Sequence, residues 1–308
     1  MKRATKDTLY FEIGPDNAPT LRVKPGEVFE VETQINRGPW LNGHPEREAI
    51  ERKVRGANPA SGCIYVESAQ PGQALLVHIG DFDLDQVGFT SYWGNTGAMP
   101  GWLGPSGVGE QQKVVQVRNK EIIWSDTVRL PVAPMLGVVG VASEHTRWAT
   151  VWAGPWGGNM DIQEITTGAS VHLPVFVPGA LLHVGDMHAI QGDGEICGAG
   201  GIEAGGRVKL SCEVVPRPKN MTWPRITNET HIITMAQAKP AEDAFRLALV
   251  EMILWLEEDC GMSRGEAYLL LGQVLEARCT QFVNPTYTYV CKINRKYLPA
   301  THLTGSMR

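Results

Sequence analysis

The sequence predicts a mainly β fold: a jelly-roll-like or β-sandwich body built from two related units, with a C-terminal α+β subdomain. Three observations support this prediction. Apolar and polar residues alternate through the first three-quarters of the 308 residues. The 34 glycines and 20 prolines fall mostly between the alternating segments, where turns are expected. Apolar residues at helical spacing begin only after Pro240.

Alternating segments rich in Val, Ile and Thr mark the predicted strands. Side chains of a strand point alternately to its two faces, so this period buries one face of each segment. The predicted strands are 27–34, 63–67, 74–83, 113–117, 128–132, 170–177, 181–184 and 207–215.

Two of these strands share a longer pattern. Each begins with a Pro-Gly pair and ends with a Gly-Asp pair, the last residues being Asp81 and Asp186. Such self-similarity indicates a duplication. We therefore predict two related β units, at about 1–130 and 131–220, with Asp81 and Asp186 in related positions and a cleft between the units.

A proline-rich segment at 217–224 marks the predicted domain boundary. The β-rich catalytic body is predicted to span 1–220. The C-terminal α+β subdomain, with two helices, is predicted to span 221–308.

Helix signals are concentrated in this last region. Pro240 precedes a segment with apolar residues at helical spacing, and Gly261 is a stop signal. Ser263 and Glu266 then form a capping-box pair that opens a second helix. The predicted elements are a helix over 241–259, a second helix through Ala277 and a strand over 286–294.

Composition restricts the partners. Lys and Arg total 28 against 33 Asp and Glu, a net charge of −5, and no basic run is interleaved with aromatics. We therefore expect a small-molecule substrate and no nucleic acid. The charged start at 1–7 and the absence of a long apolar run predict a cytoplasmic protein without a membrane partner. The six cysteines have no Cys-x-x-Cys spacing, so no zinc knuckle is predicted.

An acid-rich segment follows the second Pro-Gly strand. Asp186 and His188 are two residues apart directly after the predicted strand 181–184, so they can share a face if the strand continues. Asp193 and Glu195 form a second such pair after a glycine. Burying several carboxylates without a cation is costly. The segment therefore indicates a divalent metal, although Gly-Asp pairs are also typical of simple surface turns.

This segment is one of a series of blocks that extends over nearly the whole chain. The blocks are 58–62, 64–67, 134–140, 157–161, 173–181, 185–195, 201–203 and 267–271. In order and spacing they resemble the acetamidase/formamidase family. The resemblance implies hydrolysis of short-chain aliphatic amides, such as formamide and acetamide, to a carboxylate and ammonia. It also implies a metal-assisted site and a homodimer or higher homo-oligomer.

With this resemblance in view, we assign Asp161, Asp186 and His188 as metal ligands, which leaves a coordination position open for water. Zn²⁺ is the predicted ion, with Ca²⁺ and Mn²⁺ as alternatives. Such an ion polarises an amide carbonyl and lowers the pKa of water toward ~7.

The other candidate site residues are close to these ligands in sequence. One acid takes the water proton and returns it to the departing ammonia, and the candidates are Glu203, Glu195 and Asp193. Two amides would hydrogen-bond the substrate and two aromatic rings would exclude water. These four residues are Asn159, Gln191, Trp152 and Trp156.

Two other functions stay open at this point. Cys197 lies two residues after Glu195 and is the candidate nucleophile of a cysteine-dependent amidase. The second alternative is not an enzyme: it is a non-catalytic metal- or carbohydrate-binding β-sandwich protein. Sugar-binding faces use exposed aromatic side chains, and six tryptophans keep this alternative open: Trp93, Trp102, Trp124, Trp148, Trp152 and Trp156.

Overall fold

The computed structural model describes residues 1–92, 96–103 and 109–299, so Trp93 lies outside the described residues. The strands are β1 (Lys2–Ala4), β2 (Glu12–Ile13), β3 (Leu21–Val23), β4 (Phe29–Thr33), β5 (Ala60–Val66), β6 (Gln73–Tyr92), β7 (Gln111–Arg118), β8 (Glu121–Ile123), β9 (Arg129–Pro131), β10 (Met135–Gly140), β11 (Trp148–Ala149), β12 (Ala153–Gly154), β13 (Gly157–Asn159), β14 (Ser170–Pro174), β15 (Leu182–His188), β16 (Ala199–Pro216), β17 (Arg225–Thr227), β18 (His231–Ala238), β19 (Glu276–Gln281) and β20 (Tyr287–Asn294). The helices are α1 (Arg47–Lys53), α2 (Pro100–Leu103), α3 (Ala241–Cys260) and α4 (Arg264–Val274), with 3₁₀ turns at Pro39–Leu41 and Arg295–Tyr297.

Each of the eight predicted strands overlaps an observed strand. The largest differences are in β6 and β16, which extend well past their alternating segments. These two strands are hydrogen-bonded to each other from Gln73 opposite Pro216 to Ser91 opposite Ala199, with several register shifts. Each therefore supplies backbone partners to the other where the apolar alternation has ended.

A large antiparallel sheet forms the body of the molecule. Eighteen of the described strands belong to it, and β6 and β16 are its longest members. β14 pairs with β6, whereas β15 pairs with β10 and β5. Inward side chains from these strands, such as Val77, Leu136, Leu173, Val184 and Leu210, pack into the main hydrophobic core. The prediction of a mainly β fold is confirmed.

The two Gly-Asp pairs of the repeated pattern lie in different environments. Asp81 on β6 is exposed and lies beside Lys209, whereas Asp186 on β15 is buried. The pattern similarity therefore does not bring two equivalent acids into one site. The division into two related units stays a prediction.

The C-terminal helices begin where their sequence signals predict. Gly261 ends α3 with a left-handed backbone, φ +66°, and the Ser263 side chain accepts a hydrogen bond from Glu266 N. Met252 and Trp255 of α3 pack in a core with Ile293 of β20. None of the helices in the described part of the chain combines the length and apolarity needed to cross a membrane.

The predicted end of the second helix is wrong. α4 ends at Val274, and the segment after it forms β19, which pairs with β20. Strand pairing thus overrides the helix propensity of Glu276 and Ala277. The sequence also missed α1, which has no buried residue and hence no apolar stripe.

Backbone hydrogen bonds connect the C-terminal region to the body. β17 pairs with β14 on one side and with β18 on the other. The sheet is therefore continuous past residue 220, and the division into two domains there stays a prediction.

Candidate metal centre

The carboxyl end of β15 lies between two strands from other parts of the chain. His188 pairs with Met135 of β10 and with Glu203 of β16. Asp161 comes two residues after β13, which pairs with the other end of β10. Strand pairing therefore collects side chains from four segments at one place.

Asp161, Asp186 and His188 form a cluster with metal-ligand geometry. One ligand atom from each residue lies within 4.8 Å of the others. All three side chains are buried. His188 Nε2 is also 3.4 Å from Glu203 Oε1 and 3.7 Å from Asp186 Oδ1. Two carboxylates and one imidazole are a donor set that binds Zn²⁺ in proteins.

Gln191 sets the orientation of the His188 ring. Gln191 Nε2 donates to the carbonyl oxygens of Asp161 and Thr280, at 3.0 and 3.1 Å. Its Oε1 therefore accepts from His188 Nδ1 at 2.9 Å. With the proton on Nδ1 in the neutral ring, the Nε2 lone pair faces the carboxylates, as in a metal-binding histidine.

The space between the acids exists because residue 137 is glycine. A Cβ atom on Gly137 would lie 2.5 Å from Asp161 Oδ1, 2.6 Å from Asp186 Oδ2 and 3.0 Å from Asn159 Oδ1. Three oxygens therefore converge on the volume that any other side chain would fill. Such a ring of oxygen atoms suits a cation.

Several buried acceptor atoms at this place have no hydrogen-bond partner. They are Asn159 Oδ1, Asp161 Oδ1, His188 Nε2 and Glu195 Oε2. Leaving a buried polar group unsatisfied costs about 1–3 kcal/mol. Because all four can act as acceptors, one cation could satisfy several of them, and the residues present fit a divalent metal.

Burial and mutual repulsion shift the pKa values of the acids. Burial, and then the charge of Asp186, raise the pKa of Asp161 to about 7. Burial and the charge of Asp161 raise the pKa of Glu195 well above its usual value. Burial opposes the charging of His188, but Asp186 and Glu203 outweigh it and raise the pKa of His188. A divalent cation would favour the ionised acids and the neutral imidazole.

Three acids of the site have a left-handed backbone. The φ angles are +50° at Asp161, +54° at Asp186 and +42° at Glu195. Residues other than glycine adopt this conformation at a cost, and such residues cluster at functional sites. The direction of these side chains therefore does not follow from strand alternation.

Three asparagines that sequence reasoning missed donate to the carboxylates. Asn36 Nδ2 lies 2.9 Å from Glu203 Oε2 and 3.3 Å from Asp186 Oδ1. Asn58 Nδ2 donates to Asp186 Oδ2 at 3.0 Å, and Asn284 Nδ2 donates to Asp161 Oδ2 at 2.6 Å. Only Asn58 had a signal, because it opens the first block of the resemblance.

Comparison with known proteins identifies the family. A sequence profile of the Acetamidase/Formamidase family matches residues 98–293. The crystal structure of an acetamidase from Bacillus halodurans superposes with a TM-score of 0.85 and 31% identity, over 96% of this chain and 98% of that one. The chain belongs to the acetamidase/formamidase family. The resemblance seen in the sequence is confirmed.

Curated members of the acetamidase/formamidase family align over part of their length. The acetamidase of Mycolicibacterium smegmatis is 27% identical over 269 residues, covering 65% of this chain and 64% of that protein. The formamidase of Methylophilus methylotrophus is 28% identical over 256 residues, covering 65% and 62%. The chain thus spans less than two thirds of the length of the curated relatives that it matches.

Some predicted site residues of this family member lie elsewhere. Asp193 is 68% exposed and accepts a hydrogen bond from Arg278 at the surface. Trp156 stacks on Trp148 in the main core, and Trp152 packs against that core. The structure does not bring Asp193 into the cluster, and the wall function of Trp152 and Trp156 stays a prediction.

The two predicted substrate-binding amides, Gln191 and Asn159, differ in how many of their polar atoms are already hydrogen-bonded within the protein. Gln191 uses its carbonyl and its amino group within the protein, which favours positioning of His188 over substrate binding. The Oδ1 atom of Asn159 has no hydrogen-bond partner and faces the volume in front of Gly137. Its contacts are therefore compatible with binding either an ion or a substrate amide.

Cys197 belongs to a separate pocket. It is half-buried and lines a cavity of about 320 Å³ together with Lys113 and Trp124. Burial raises the pKa of its thiol. Since the thiolate is the nucleophile, this environment disfavours covalent catalysis by Cys197.

Proposed function

We propose that this protein hydrolyses short-chain aliphatic amides, such as formamide and acetamide, to a carboxylate and ammonia. Two relatives carry the names acetamidase and formamidase. The observation that carries the proposal is the buried cluster of Asp161, Asp186 and His188, in a family member whose fold matches a solved acetamidase. Amides are poor electrophiles, and a divalent ion held by this cluster would polarise the amide carbonyl and activate water.

Asp161, Asp186 and His188 would hold a divalent metal, for which Zn²⁺ is our first choice. When bound, such an ion polarises the amide carbonyl and makes water acidic enough to attack at neutral pH. Mn²⁺ and Ca²⁺ are the alternatives, because carboxylate oxygens also suit these ions. Because Gln191 Oε1 accepts from His188 Nδ1, the Nε2 atom of His188 would be free to bind the ion.

Glu203 is our choice for the base. Its Oε1 lies beside His188 Nε2, and its Oε2 is held by Asn36. Glu203 takes a proton from the attacking water as the oxygen bonds to the carbonyl carbon. The carbon–nitrogen bond then breaks and the proton goes to nitrogen, which leaves as ammonia. Glu195, a buried acid whose Oε2 has no hydrogen-bond partner, is the alternative base.

The test is ammonia release from formamide, acetamide and propionamide by the purified protein, with and without a chelator followed by added Zn²⁺, Mn²⁺ or Ca²⁺. We expect turnover that a chelator abolishes and one of these ions restores. Turnover that a chelator does not change, but that iodoacetamide or Cys197→Ser abolishes, would instead support the cysteine route. Metal or sugar binding without ammonia release would support a non-catalytic binding protein.

A homodimer or higher oligomer and a cytoplasmic location also belong to the proposal. Four apolar side chains of the helical layer are exposed and support self-association: Leu247, Val250, Tyr268 and Leu269. Size-exclusion chromatography with light scattering tests the oligomer, and a purely monomeric mass would contradict it. Cell fractionation tests the location.

A further inference from the structure

The C-terminal region reaches the candidate metal centre through the loop between β19 and β20. Asn284 of this loop donates from Nδ2 to Asp161 Oδ2 at 2.6 Å. Asp161 and Asn284 are 123 residues apart in sequence. The sequence predicts a catalytic body that ends at residue 220, whereas this contact brings a residue of the C-terminal region to the site.

A buried glutamine at the end of β19 organises the loop. Gln281 is fully buried, and its Oε1 accepts from the backbone N–H groups of Val283 and Asn284 at 3.0 and 2.9 Å. Its Nε2 lies 2.7 Å from Thr286 O and 3.0 Å from Thr288 Oγ1. These bonds use the donors and acceptor of the amide group, so they favour one loop conformation.

Two further hydrogen bonds join the same hairpin to neighbours of the site. Thr280 O accepts from Gln191, the residue that orients His188. Phe282 N donates at 2.8 Å to the carbonyl oxygen of Gly194, which precedes Glu195. The hairpin therefore contacts the surroundings of His188 and Glu195 as well as Asp161 itself.

The Asn284 contact decides which oxygen of Asp161 is free. Oδ2 is held by Asn284, whereas Oδ1 has no hydrogen-bond partner and points at the volume in front of Gly137. A carboxylate fixed through one oxygen presents the other in a defined direction. Residues that orient metal ligands in this way typically change metal affinity by about 10–100-fold when they are removed.

We propose that Asn284 is a positioning residue of the metal centre, which holds Asp161 Oδ1 toward the volume in front of Gly137 and makes metal affinity depend on the β19–β20 hairpin. This inference rests on the proposed metal-assisted function. Asn284 acts through Asp161 and is not assigned a contact with substrate.

The test is the Zn²⁺ dissociation constant of the full chain, measured by competition with a chromophoric chelator. We compare wild type with Asn284→Ala and with Asn284→Leu, which nearly keeps the side-chain volume but has no donor. The matched control is Asn294→Ala at the other end of β20, where the Asn294 side chain accepts from Lys296 N. We expect Zn²⁺ binding to weaken about 10–100-fold in both Asn284 variants and to stay unchanged in the control.

Thermal unfolding with chelator present separates positioning from folding. Asn284→Leu decides the question if Asn284→Ala fails to fold, and partial recovery of affinity in Asn284→Gln would support a role for the amide donor. Wild-type affinity in Asn284→Leu, or an equal loss in Asn294→Ala, would overturn the inference while leaving the metal proposal in place. A wild-type protein that binds no Zn²⁺, Mn²⁺ or Ca²⁺ would overturn both.

Discussion

Gly137 shows how a single residue makes room for the site. Its missing Cβ leaves the volume on which oxygens of Asn159, Asp161 and Asp186 converge. The sequence placed Gly137 within a block of the family resemblance but gave no reason for a glycine there. The reason is steric and becomes visible only when the three side chains are in place.

Gly137→Ala should therefore abolish metal binding and amide hydrolysis. The added methyl group would lie 2.5–2.6 Å from two carboxylate oxygens, so the acids must move apart. The measurements are Zn²⁺ affinity and ammonia release. The matched control is Gly265→Ala in α4, where a Cβ would meet nothing within 4 Å; it should keep activity and gain up to about 1 kcal/mol of stability. Normal Zn²⁺ binding by Gly137→Ala would contradict the proposal that the ion occupies the volume in front of Gly137.

Asp186→Asn and His188→Gln should reduce ammonia release to background while the protein stays folded. Each substitution removes one proposed ligand with little change in volume. Asp193→Asn is the control, because Asp193 lies at the surface beside Arg278; it should keep near wild-type turnover. Steady-state assays with circular dichroism provide the check, and full turnover in Asp186→Asn would contradict the ligand assignment.

Glu203→Gln should lower kcat by about 10²–10⁴-fold, the range for loss of a general base, while leaving Zn²⁺ bound. Glu195→Gln is the comparison, because Glu195 is the alternative base. A larger loss of kcat in Glu195→Gln than in Glu203→Gln would reverse the assignment of the base.

At the scale of the element, strands β14 and β15 carry two buried histidines that are not among the proposed metal ligands, His172 and His183. Burial lowers the pKa of His172 and of His183 to about 4. His183 makes two hydrogen bonds, from Nδ1 to Leu181 O and between Nε2 and Asn17 Nδ2, both at 2.9 Å. These contacts suit a neutral ring, so protonation of His183 would oppose folding.

Both histidines should make the protein less stable in mild acid. In the unfolded chain they bind protons below about pH 6.5, whereas in the folded chain they do so only near pH 4. Their contribution to the free energy of unfolding is therefore full above pH 6.5, falls between pH 6.5 and 4, and is constant below pH 4. The pKa difference corresponds to about 3 kcal/mol for each residue.

Urea unfolding between pH 7 and 4, with chelator present, measures this effect. His183→Asn should be less stable at pH 7 and should show a smaller loss of stability on acidification than wild type. The control is His145→Gln at an exposed position, which should follow the wild-type curve. An unchanged pH slope in His183→Asn would contradict the prediction.

Secondary-structure elements were the most predictable level of the fold. The eight alternating segments all overlap observed strands, and the caps of α3 and α4 match their sequence signals. Periodicity and capping depend on neighbouring residues, so they can be read locally. The errors have non-local causes: β19 forms because β20 pairs with it, and β6 and β16 extend because each pairs with the other.

At the scale of the whole molecule, the candidate metal centre connects distant segments. The residues that form it come from β10, β15 and β16, the segment after β13, and the β19–β20 hairpin. A bound ion would therefore hold together parts of the chain that the unfolded state separates. Metal binding should contribute to global stability as well as to catalysis.

Chelation should accordingly lower the unfolding temperature of wild type. An ion present at 100 times its dissociation constant stabilises the folded state by about 2.7 kcal/mol. Differential scanning calorimetry with chelator and with added Zn²⁺ measures the shift. Asp186→Asn should show little metal-dependent shift; a shift equal to that of wild type would mean that the ion binds elsewhere.

The sequence by itself determined the family, the mainly β fold and a short stretch that contains the main ligand candidates. These features are encoded locally, in alternating apolar residues, in turn residues and in the blocks around Asp186 and His188. The sequence also proposed acids, Asp193 among them, whose burial it could not judge. Proximity along the chain made Asp193 look equivalent to Glu195.

Only the tertiary structure decided which of these side chains meet. The tertiary fold buries Glu195 and Glu203 and leaves Asp193 at the surface. It also brings Asn36, Asn58 and Asn284 to the carboxylates across separations of 123 to 167 residues. The physical reason is that hydrogen bonds and burial depend on distance in space, which the local pattern of a sequence does not contain.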